Sequence, residues 1–175
     1  MAIRKVTSAD LDLLLDISDT TYRETFFEAF NDPAAFEAYT HELFAADRMK
    51  AELVSPDVGF YFAMYHEEPV GYIKINTGQA QTVFQGDDAA ELERIYVLGT
   101  YQQQHIGKAL LHHAMNVASG SGLKFLWLSV WENNGKAIRF YEQNGLRKFA
   151  THDYLVGNEL QTDWLMKIEL PQGSM

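Results

Sequence analysis

The chain has 175 residues, 47% of them hydrophobic and 13% aromatic, which is enough apolar material for the core of one globular domain. Its 14 Lys and Arg against 24 Asp and Glu give a net charge of −10, which argues against nucleic acid as a partner and suits a cationic small substrate. The lack of cysteine excludes disulfides and a cysteine nucleophile, and the lack of a signal segment or long apolar run predicts a cytoplasmic protein without membrane contact.

The first half of the chain predicts short strands and helices in succession. Thr7 or Ser8 caps the first helix, and Pro33 ends it because the residue before a proline avoids the α region. Glu67-Glu-Pro69 joins two apolar strands in a hairpin. The predicted elements are a strand over 2–6, helices before Asn31 and over 33–44 and 48–53, and strands over 60–65 and 70–76.

The second half predicts four strands and two helices after a polar loop over 77–90. Apolar residues at helical spacing begin at Ile106, and Gly120 ends that helix. Asn133 or Asn134 caps a second, shorter helix that ends at Asn144-Gly145. The predicted strands cover 91–97, 123–131, 147–154 and 161–170, with a further strand end at 81–84. We therefore expect one α/β domain with a mixed sheet over 1–171 and a tail over 172–175.

The turn between strand 91–97 and the helix that begins at Ile106 is rich in side-chain amides. It contains Gly107 and Lys108 and no acidic residue. Such a turn presents unpaired backbone N–H groups and the positive end of a helix dipole. These features predict a seat for a ligand that carries phosphate.

Residues 101–111 resemble the acetyl-CoA signature of the GCN5-related N-acetyltransferase (GNAT) superfamily, Gln/Arg-x-x-Gly-x-Gly/Ala. In the register we prefer, Gln102 is the first residue, His105 stands where the first glycine is usual, and Gly107 is the second glycine. A second register, which begins at Gln104, fits the pattern literally but displaces the helix. His105 departs from the family pattern and crowds the backbone approach to the pyrophosphate.

A second segment, residues 131–145, resembles the family's other signature, in which an Asn, an Ala and a Phe-Tyr pair precede a closing Gly. Further segments resemble the PaiA branch, which is similar to spermidine/spermine N-acetyltransferases. These segments are 21–26, 71–76, 79–82, 93–97, 127–132 and 161–163.

The resemblance implies a mostly antiparallel mixed sheet flanked by helices, with a wedge between two central strands that receives acetyl-CoA. In such a wedge, the N–H groups of Ile95 and Val97 would pair with the pantetheine amides. The residues that the resemblance assigns to acetyl-CoA are Ile95, Tyr96, Val97, Gln102, Gln103, Gln104, His105, Ile106, Gly107, Lys108, Ala109, Asn134, Lys136 and Tyr141. No metal site is predicted, because His112 and His113 are adjacent on a helix and point apart.

The chemistry requires an acceptor amine to lose a proton, since a free alkyl ammonium has a pKa near ~10.4. Glu91 and Glu93 are the predicted bases, directly or through water, with His152 as a third candidate. Tyr141 matches the tyrosine that stands near the CoA sulfur in this family. Its predicted role is a hydrogen bond to the departing thiolate.

The amine site is expected between the helices after residue 21 and the strand that ends at Trp131. Tyr22 and Phe26, with neighbouring aromatic residues, would form an apolar wall, and Trp131 and Glu132 complete the predicted substrate site. The acids that would hold the ammonium ends of a polyamine are Glu24, Glu28, Glu132 or Asp163.

These residues predict an acetyl-CoA-dependent N-acetyltransferase for a small primary amine, with spermidine or spermine as acceptor. The alternatives are an acetyltransferase for protein N-termini or lysines, and a CoA-binding regulatory domain without turnover. The resemblance also implies a homodimer.

Overall fold

A seven-stranded sheet forms the centre of the protein in a computed structural model, which describes residues 1–156 and 158–173. The strands are β1 (Ala2–Lys5), β2 (Val58–Tyr65), β3 (Glu68–Thr77), β4 (Ala89–Val97), β5 (Phe125–Trp131), β6 (Arg147–Val156) and β7 (Glu159–Glu169). The α-helices are α1 (Leu11–Phe26), α2 (Pro33–Leu43), α3 (Ala46–Val54), α4 (Ile106–Gly120) and α5 (Gly135–Gln143).

The strand order is β1-β2-β3-β4-β5-β7-β6, and every neighbouring pair is antiparallel except β4 and β5. This parallel pair is in register only over Ala89–Glu91 with Phe125–Trp127. Beyond Glu91 the two central strands diverge. A bulge in β4 accompanies the divergence, because Lys74 opposes Arg94 and the next residue of β3 opposes Leu92, which leaves Glu93 without a partner. Bulges bend a strand, so this one helps to turn β4 away from β5.

Two apolar layers cover the two faces of the sheet. On one face, Leu110, Leu111 and Ala114 of α4 are fully buried against β3, β4 and β5. On the other face, Leu14 of α1 and Met49 of α3 are fully buried against the aromatic side chains of β2 and β3. The layers hold the strands rigid on both sides of the point where β4 and β5 separate.

The predicted mixed sheet with flanking helices is confirmed, and so are the helix that begins at Ile106 and the short helix that ends beside Gly145. The predicted strand end at 81–84 is wrong. Gln81 accepts a hydrogen bond from the Trp127 indole at 2.8 Å, and Thr82 donates to the Glu91 carboxylate, so these residues fold over the sheet instead of extending it.

Two smaller differences from the prediction concern the end of the first helix and the C-terminal tail. The first helix ends at Phe26, before the predicted break, and a 3-10 turn over Phe27–Ala29 follows it. In the predicted tail, Gln172 donates to the Leu123 and Leu170 carbonyls, and residues 174 and 175 lie outside the described residues. In the part of the chain that is described, no helix is long and apolar enough to cross a membrane.

Candidate active site

A cleft of about 1080 Å³ opens where β4 and β5 diverge, and we call it the β4–β5 cleft. It is bordered by β4, the loop that leads into α4, the start of α5, the ends of β6 and β7, and the aromatic side of α1 and α2. The sequence-predicted residues that line it are Tyr22, Phe26, Glu91, Glu93, Ile95, Tyr96, Val97, Gln102, Gln103, His105, Gly107, Lys108, Trp131, Asn134, Lys136, Tyr141, His152 and Asp163.

Six predicted site residues, among them Glu24 and Glu28, do not line this cleft. Ile106, the first residue of α4, is buried in the core, and Ala109 follows it on the same helix. The Gln104 amide bonds back to the Thr100 carbonyl at 3.4 Å. Glu132 is exposed just beyond β5, where its backbone N–H donates to the Thr162 carbonyl. A short motif includes some of these residues only because they are adjacent in sequence. In the fold, their side chains pack in the core, form local hydrogen bonds or face solvent.

The edge of β4 that faces the cleft has free backbone N–H groups. Leu98 donates its N–H to the Val70 carbonyl, and Val97 lies opposite Gly71 in the same antiparallel pair. Since successive N–H groups point to opposite edges of a strand, those of Ile95 and Val97 point away from β3 and toward the diverging β5. No described strand pairs with them there. An extended chain that carries amides can occupy this edge as a strand would.

The loop that leads into α4 has an unusual backbone. Gln103 and His105 both adopt the left-handed region, with φ of 64° and 62°. Alternating conformations of this kind gather backbone N–H groups into a concave anion site. His105 is the N-cap of α4 and provides no side-chain cap, so the first N–H groups of this 15-residue helix have no side-chain partner among the described residues. The loop therefore offers the features that bind phosphate.

Gln102 links this loop to the opposite side of the cleft. Its amide nitrogen donates to the Val97 carbonyl at 3.2 Å, and its amide oxygen accepts from Lys136 of α5 at 3.2 Å. Asn134 caps α5 by accepting from the Ala137 N–H at 3.2 Å, which leaves only its NH₂ group to donate to a ligand. These contacts place Lys136 beside the phosphate-type loop.

The left-handed conformation of His105 makes a prediction for His105→Gly. The left-handed conformation costs a residue with a Cβ atom roughly 1–2 kcal/mol of strain in the folded state, and Gly avoids this strain. Gly also raises the conformational entropy of the unfolded chain, which lowers stability. We expect these effects nearly to cancel, so that the free energy of unfolding changes by less than about 0.5 kcal/mol. In contrast, the β-branched His105→Val should destabilise by about 1–2 kcal/mol.

Urea unfolding of the two variants checks this prediction. A loss of stability in His105→Gly larger than that in His105→Val would contradict it, because the imidazole would then be making a stabilising contact that outweighs the backbone strain.

Glu91 is buried at the base of the cleft and is held by hydrogen bonds. The Thr82 N–H and the Asn76 amide donate to Oε2 at 2.8 and 3.1 Å, and the Thr82 hydroxyl donates to Oε1. Burial raises the pKa of Glu91, and the bonds from Thr82 and Asn76 only partly oppose this effect. A carboxylate with a raised pKa is better matched to proton transfer near neutral pH.

Glu93, the bulged residue, lies in a network of charges. Lys74 approaches its Oε2 at 2.6 Å, Asn76 donates to the same oxygen at 2.6 Å, and Arg94 lies 3.6 Å from Oε1. Lys74 also contacts Glu52 of α3 at 3.1 Å. Burial raises the pKa of Glu93, but the charges of Arg94 and Lys74 outweigh it and hold the pKa below its usual value. Glu93 is therefore a weaker base than Glu91.

Tyr141 of α5 lines the cleft from the opposite side and is only 8% exposed. Its ring lies 5.4 Å from that of Phe140. Burial raises the pKa of its phenol above the usual value. The hydroxyl therefore stays protonated at neutral pH and can serve as a hydrogen-bond donor within the cleft.

Aromatic rings from α1 and α2 form the remaining wall. The Tyr22 ring lies 4.7 Å from Phe26, 6.1 Å from Tyr39 and 6.3 Å from Tyr96 of β4. Burial raises the pKa of Tyr22, and the neighbouring Tyr39 and Tyr154 hydroxyls add to this effect. Tyr22 of α1, Tyr39 of α2 and Tyr154 of β6 all line the cleft. The wall is apolar but carries phenol groups at its surface.

The sequence reasoning missed several lining residues. They come from elements distant in the chain, and only the fold brings them to the cleft. Thr82 had a signal, since its segment was among those that resemble the PaiA branch, and Tyr154 lies two residues from His152 on the same face of a predicted strand. The missed lining residues include Thr82, Val83, Arg94, Ser129, Tyr154, Glu159 and Gln161. Within residues 1–156 and 158–173, no group of three acidic or His side chains is arranged to hold a metal ion.

Comparison with known proteins places this cleft in context. The sequence profile of the Acetyltransferase (GNAT) family matches residues 17–146. An uncharacterized N-acetyltransferase of Lactobacillus delbrueckii subsp. lactis is 32% identical, over 94% of this chain and 95% of the relative. A spermidine N(1)-acetyltransferase of Thermoplasma acidophilum is 24% identical, over 83% of this chain and 87% of the relative.

A solved structure has the same fold. The PaiA N-acetyltransferase from Thermoplasma acidophilum, crystallised in complex with coenzyme A, aligns with a TM-score of 0.78 and 23% identity. The alignment covers 96% of this chain and 98% of that chain. The diverging central strands therefore belong to a fold shared along almost the whole length of both proteins.

Proposed function

The chain belongs to the Acetyltransferase (GNAT) family, and we propose that it transfers the acetyl group of acetyl-CoA to a primary amine of a small cationic molecule, a polyamine such as spermidine or spermine. The observation that carries this proposal is the open edge of β4 inside a cleft of about 1080 Å³. An extended ligand with amide groups, such as the pantetheine arm, can form hydrogen bonds with the free N–H groups of this edge as a neighbouring strand would.

The residues along the cleft fit acetyl-CoA from end to end. The N–H groups of Ile95 and Val97 would hold the pantetheine amides, and the NH₂ group of Asn134 would donate from the other side. The loop around Gln103 and His105 would hold the pyrophosphate with backbone N–H groups. Lys108 and Lys136 would supply positive charge near the phosphates. When bound, acetyl-CoA supplies the thioester that the amine attacks.

Among the predicted bases, we assign proton acceptance to Glu91 and a structural role to Glu93. Both oxygens of Glu91 already accept hydrogen bonds, so we propose that the proton reaches it through water in the cleft. Glu93 is neutralised by Lys74 and Arg94, which keeps it from competing for that proton. His152, which also lines the cleft, is exposed.

We assign to Tyr141 the hydrogen bond that stabilises the leaving sulfur. The hydroxyl is buried beside the cleft, where a donor acts more strongly than in water because the surroundings are less polar. We propose that the acetyl group passes directly to the amine, since the chain has no cysteine thiol to form an acyl-enzyme.

A polyamine acceptor is supported by the chemistry of the wall and by a relative. Aromatic rings of α1 and α2 can pack against methylene groups, and their faces attract cations. The net charge of −10 would draw a polycation toward the protein. The Thermoplasma acidophilum relative is a spermidine N(1)-acetyltransferase, and the resemblance to the PaiA branch points the same way.

Release of free thiol from acetyl-CoA by the full chain tests the proposal. The acceptor panel contains spermidine, spermine, a peptide with a free N-terminal alanine and a peptide with an internal lysine, with a reaction lacking acceptor as the blank. We expect kcat/KM for spermidine to exceed that for either peptide by about tenfold or more.

Higher kcat/KM for a peptide would overturn the polyamine assignment in favour of protein acetylation. No thiol release with any acceptor, together with a rise of the melting temperature in CoA, would favour a binding domain without turnover.

A further inference from the structure

We propose that Asp163 binds a second, protonated nitrogen of the acceptor and thereby selects diamines and polyamines over monoamines. The proposal rests on the proposed function, because it assigns the charge selection of the same cleft. Asp163 is a carboxylate on β7 that lies in the cleft and forms no ion pair within 4.0 Å among residues 1–156 and 158–173.

The register of the sheet defines what surrounds Asp163. It lies opposite Trp131 of β5 on one side and opposite His152 of β6 on the other. Directly paired residues share a face of the sheet, so these three side chains project together, and Tyr154 joins them two residues beyond His152. All four line the β4–β5 cleft. A carboxylate thus sits among aromatic and imidazole rings on the wall of the cleft.

One carboxylate oxygen of Asp163 lacks a partner. Oδ1 is buried and receives no hydrogen bond from the described part of the chain. A buried anionic oxygen left without a donor is unfavourable, and a ligand that brings one removes the deficit. Burial raises the pKa of Asp163, and the Tyr154 hydroxyl and His152 only partly oppose this effect. An ammonium group supplies both the hydrogen bonds and the charge that this site lacks.

Phenol groups from β6, α1 and α2 line the cleft together with Asp163. The pKa of Tyr154 is raised by burial first, and then by the proximity of Asp163 and of Tyr39 on α2. The Tyr22 ring lies 6.1 Å from that of Tyr39, and Tyr22, Tyr39 and Tyr154 all line the cleft that contains Asp163. A carboxylate backed by phenol and indole rings is a suitable site for an alkyl ammonium, which is attracted by both the charge and the ring faces.

The other acids considered for this role are less suited to it. Glu24 accepts a hydrogen bond from the Gly99 N–H at 2.8 Å. Glu28 is exposed and, like Glu132, does not line the cleft. Glu159 does line the cleft, but it is exposed at the end of β7, where water screens its charge.

Asp163→Asn removes the charge and keeps the shape, and it should fold because it relieves a buried carboxylate. The assay compares 1,4-diaminobutane with n-butylamine, which share a four-carbon chain and differ in the second nitrogen. We expect the wild-type protein to favour the diamine in kcat/KM by about tenfold or more, and Asp163→Asn to lose most of this ratio through KM for the diamine.

Asp153→Asn is the matched control. Asp153 lies on the same hairpin, is exposed, and accepts from the Thr162 hydroxyl at 2.7 Å. We expect this variant to keep the wild-type ratio, and Asp163→Glu to recover part of it. A ratio that is unchanged in Asp163→Asn would overturn the proposal.

The failure of this proposal is distinguishable from failure of the proposed function. Turnover of either amine by the wild-type protein supports the function whatever Asp163 does. If neither amine reacts, calorimetric titration of spermidine into the CoA-saturated protein decides the matter. Equal affinity in wild type and Asp163→Asn would then overturn the role of Asp163, and affinity weakened about tenfold would support it.

Discussion

Tyr141→Phe is expected to lower kcat about 100-fold while leaving KM for acetyl-CoA within about twofold. The substitution removes only the phenol oxygen of a side chain that is 8% exposed, so packing against Phe140 persists. The lost hydrogen bond would act mainly on charge that develops at the sulfur in the transition state, and such interactions affect kcat rather than substrate binding. Steady-state thiol release with saturating acceptor measures the effect.

The control for this prediction is Tyr61→Phe. Tyr61 is a partly buried tyrosine of β2 whose ring packs 4.7 Å from His113, and it does not line the cleft. Its loss should leave kcat unchanged. An unaltered kcat in Tyr141→Phe, with the same melting temperature as the wild type, would remove Tyr141 from the mechanism.

The pH dependence of the wild-type rate adds a second check on the role of Tyr141. Because the pKa of Tyr141 is raised, its ionisation should not limit the wild-type rate in mildly basic solution.

Lys74→Met is expected to lower the free energy of unfolding at pH 7 by about 3 kcal/mol. Lys74 is only 3% exposed, and its ammonium lies 2.6 Å from Glu93 and 3.1 Å from Glu52. Methionine fills similar space but leaves Glu93 with Arg94 at 3.6 Å as its remaining cation, while Glu52 keeps only Arg48 at 3.3 Å. Removing one member of a buried charged group is costly because the remaining charge is poorly solvated. Urea unfolding at pH 7 measures the loss.

Two comparisons separate lost charge from lost packing. Lys124→Met removes an exposed partner of Asp88 at 2.9 Å and should cost less than about 1 kcal/mol. The double variant Lys74→Met, Glu93→Gln should recover part of the stability, because it removes the carboxylate that the single variant leaves uncompensated. A loss below about 1 kcal/mol in Lys74→Met would contradict the prediction.

The pH dependence of Lys74→Met has a defined sign. In the wild-type protein, the pKa of Glu93 is held below its usual value of 4.5, so ionised Glu93 contributes stability above that pH, and the contribution is lost as pH falls through the lowered pKa. Without Lys74, this pKa should rise. Protonation of Glu93 should then remove an unfavourable charge from the folded variant as the pH falls. The difference in free energy of unfolding between wild type and variant should therefore become smaller from pH 7 to pH 4.

Local features of the chain were predictable because they depend on residues close in sequence. The apolar repeat from Ile106 determined α4, and the polar turn before it predicted a phosphate-type loop at the place where Gln103 and His105 adopt left-handed conformations. The resemblance extended this reasoning to the wedge, and the divergence of β4 and β5 agrees with it. The strand end at 81–84 was wrong, because tertiary bonds to Trp127 and Glu91 override the local preference.

The chemistry of individual acids was not predictable in the same way. Glu91, Glu93 and Asp163 are all carboxylates on strands, and the sequence offers no reason to rank them. Their differences come from partners far away along the chain: Thr82 holds Glu91, and Lys74 neutralises Glu93. The pKa of a carboxylate depends on its burial and on charges a few ångströms away, and both are properties of the folded protein.

The sequence by itself therefore determined the family, the order of the elements and the loop that faces the proposed phosphates, since periodicity and motifs act over short stretches of chain. Only the tertiary structure decided which residues share the cleft, which acid has a raised pKa, and which carboxylate oxygen lacks a partner. Those properties arise where β4, β5, β6 and β7 meet α1 and α2, and distances between such elements are set by packing rather than by local sequence.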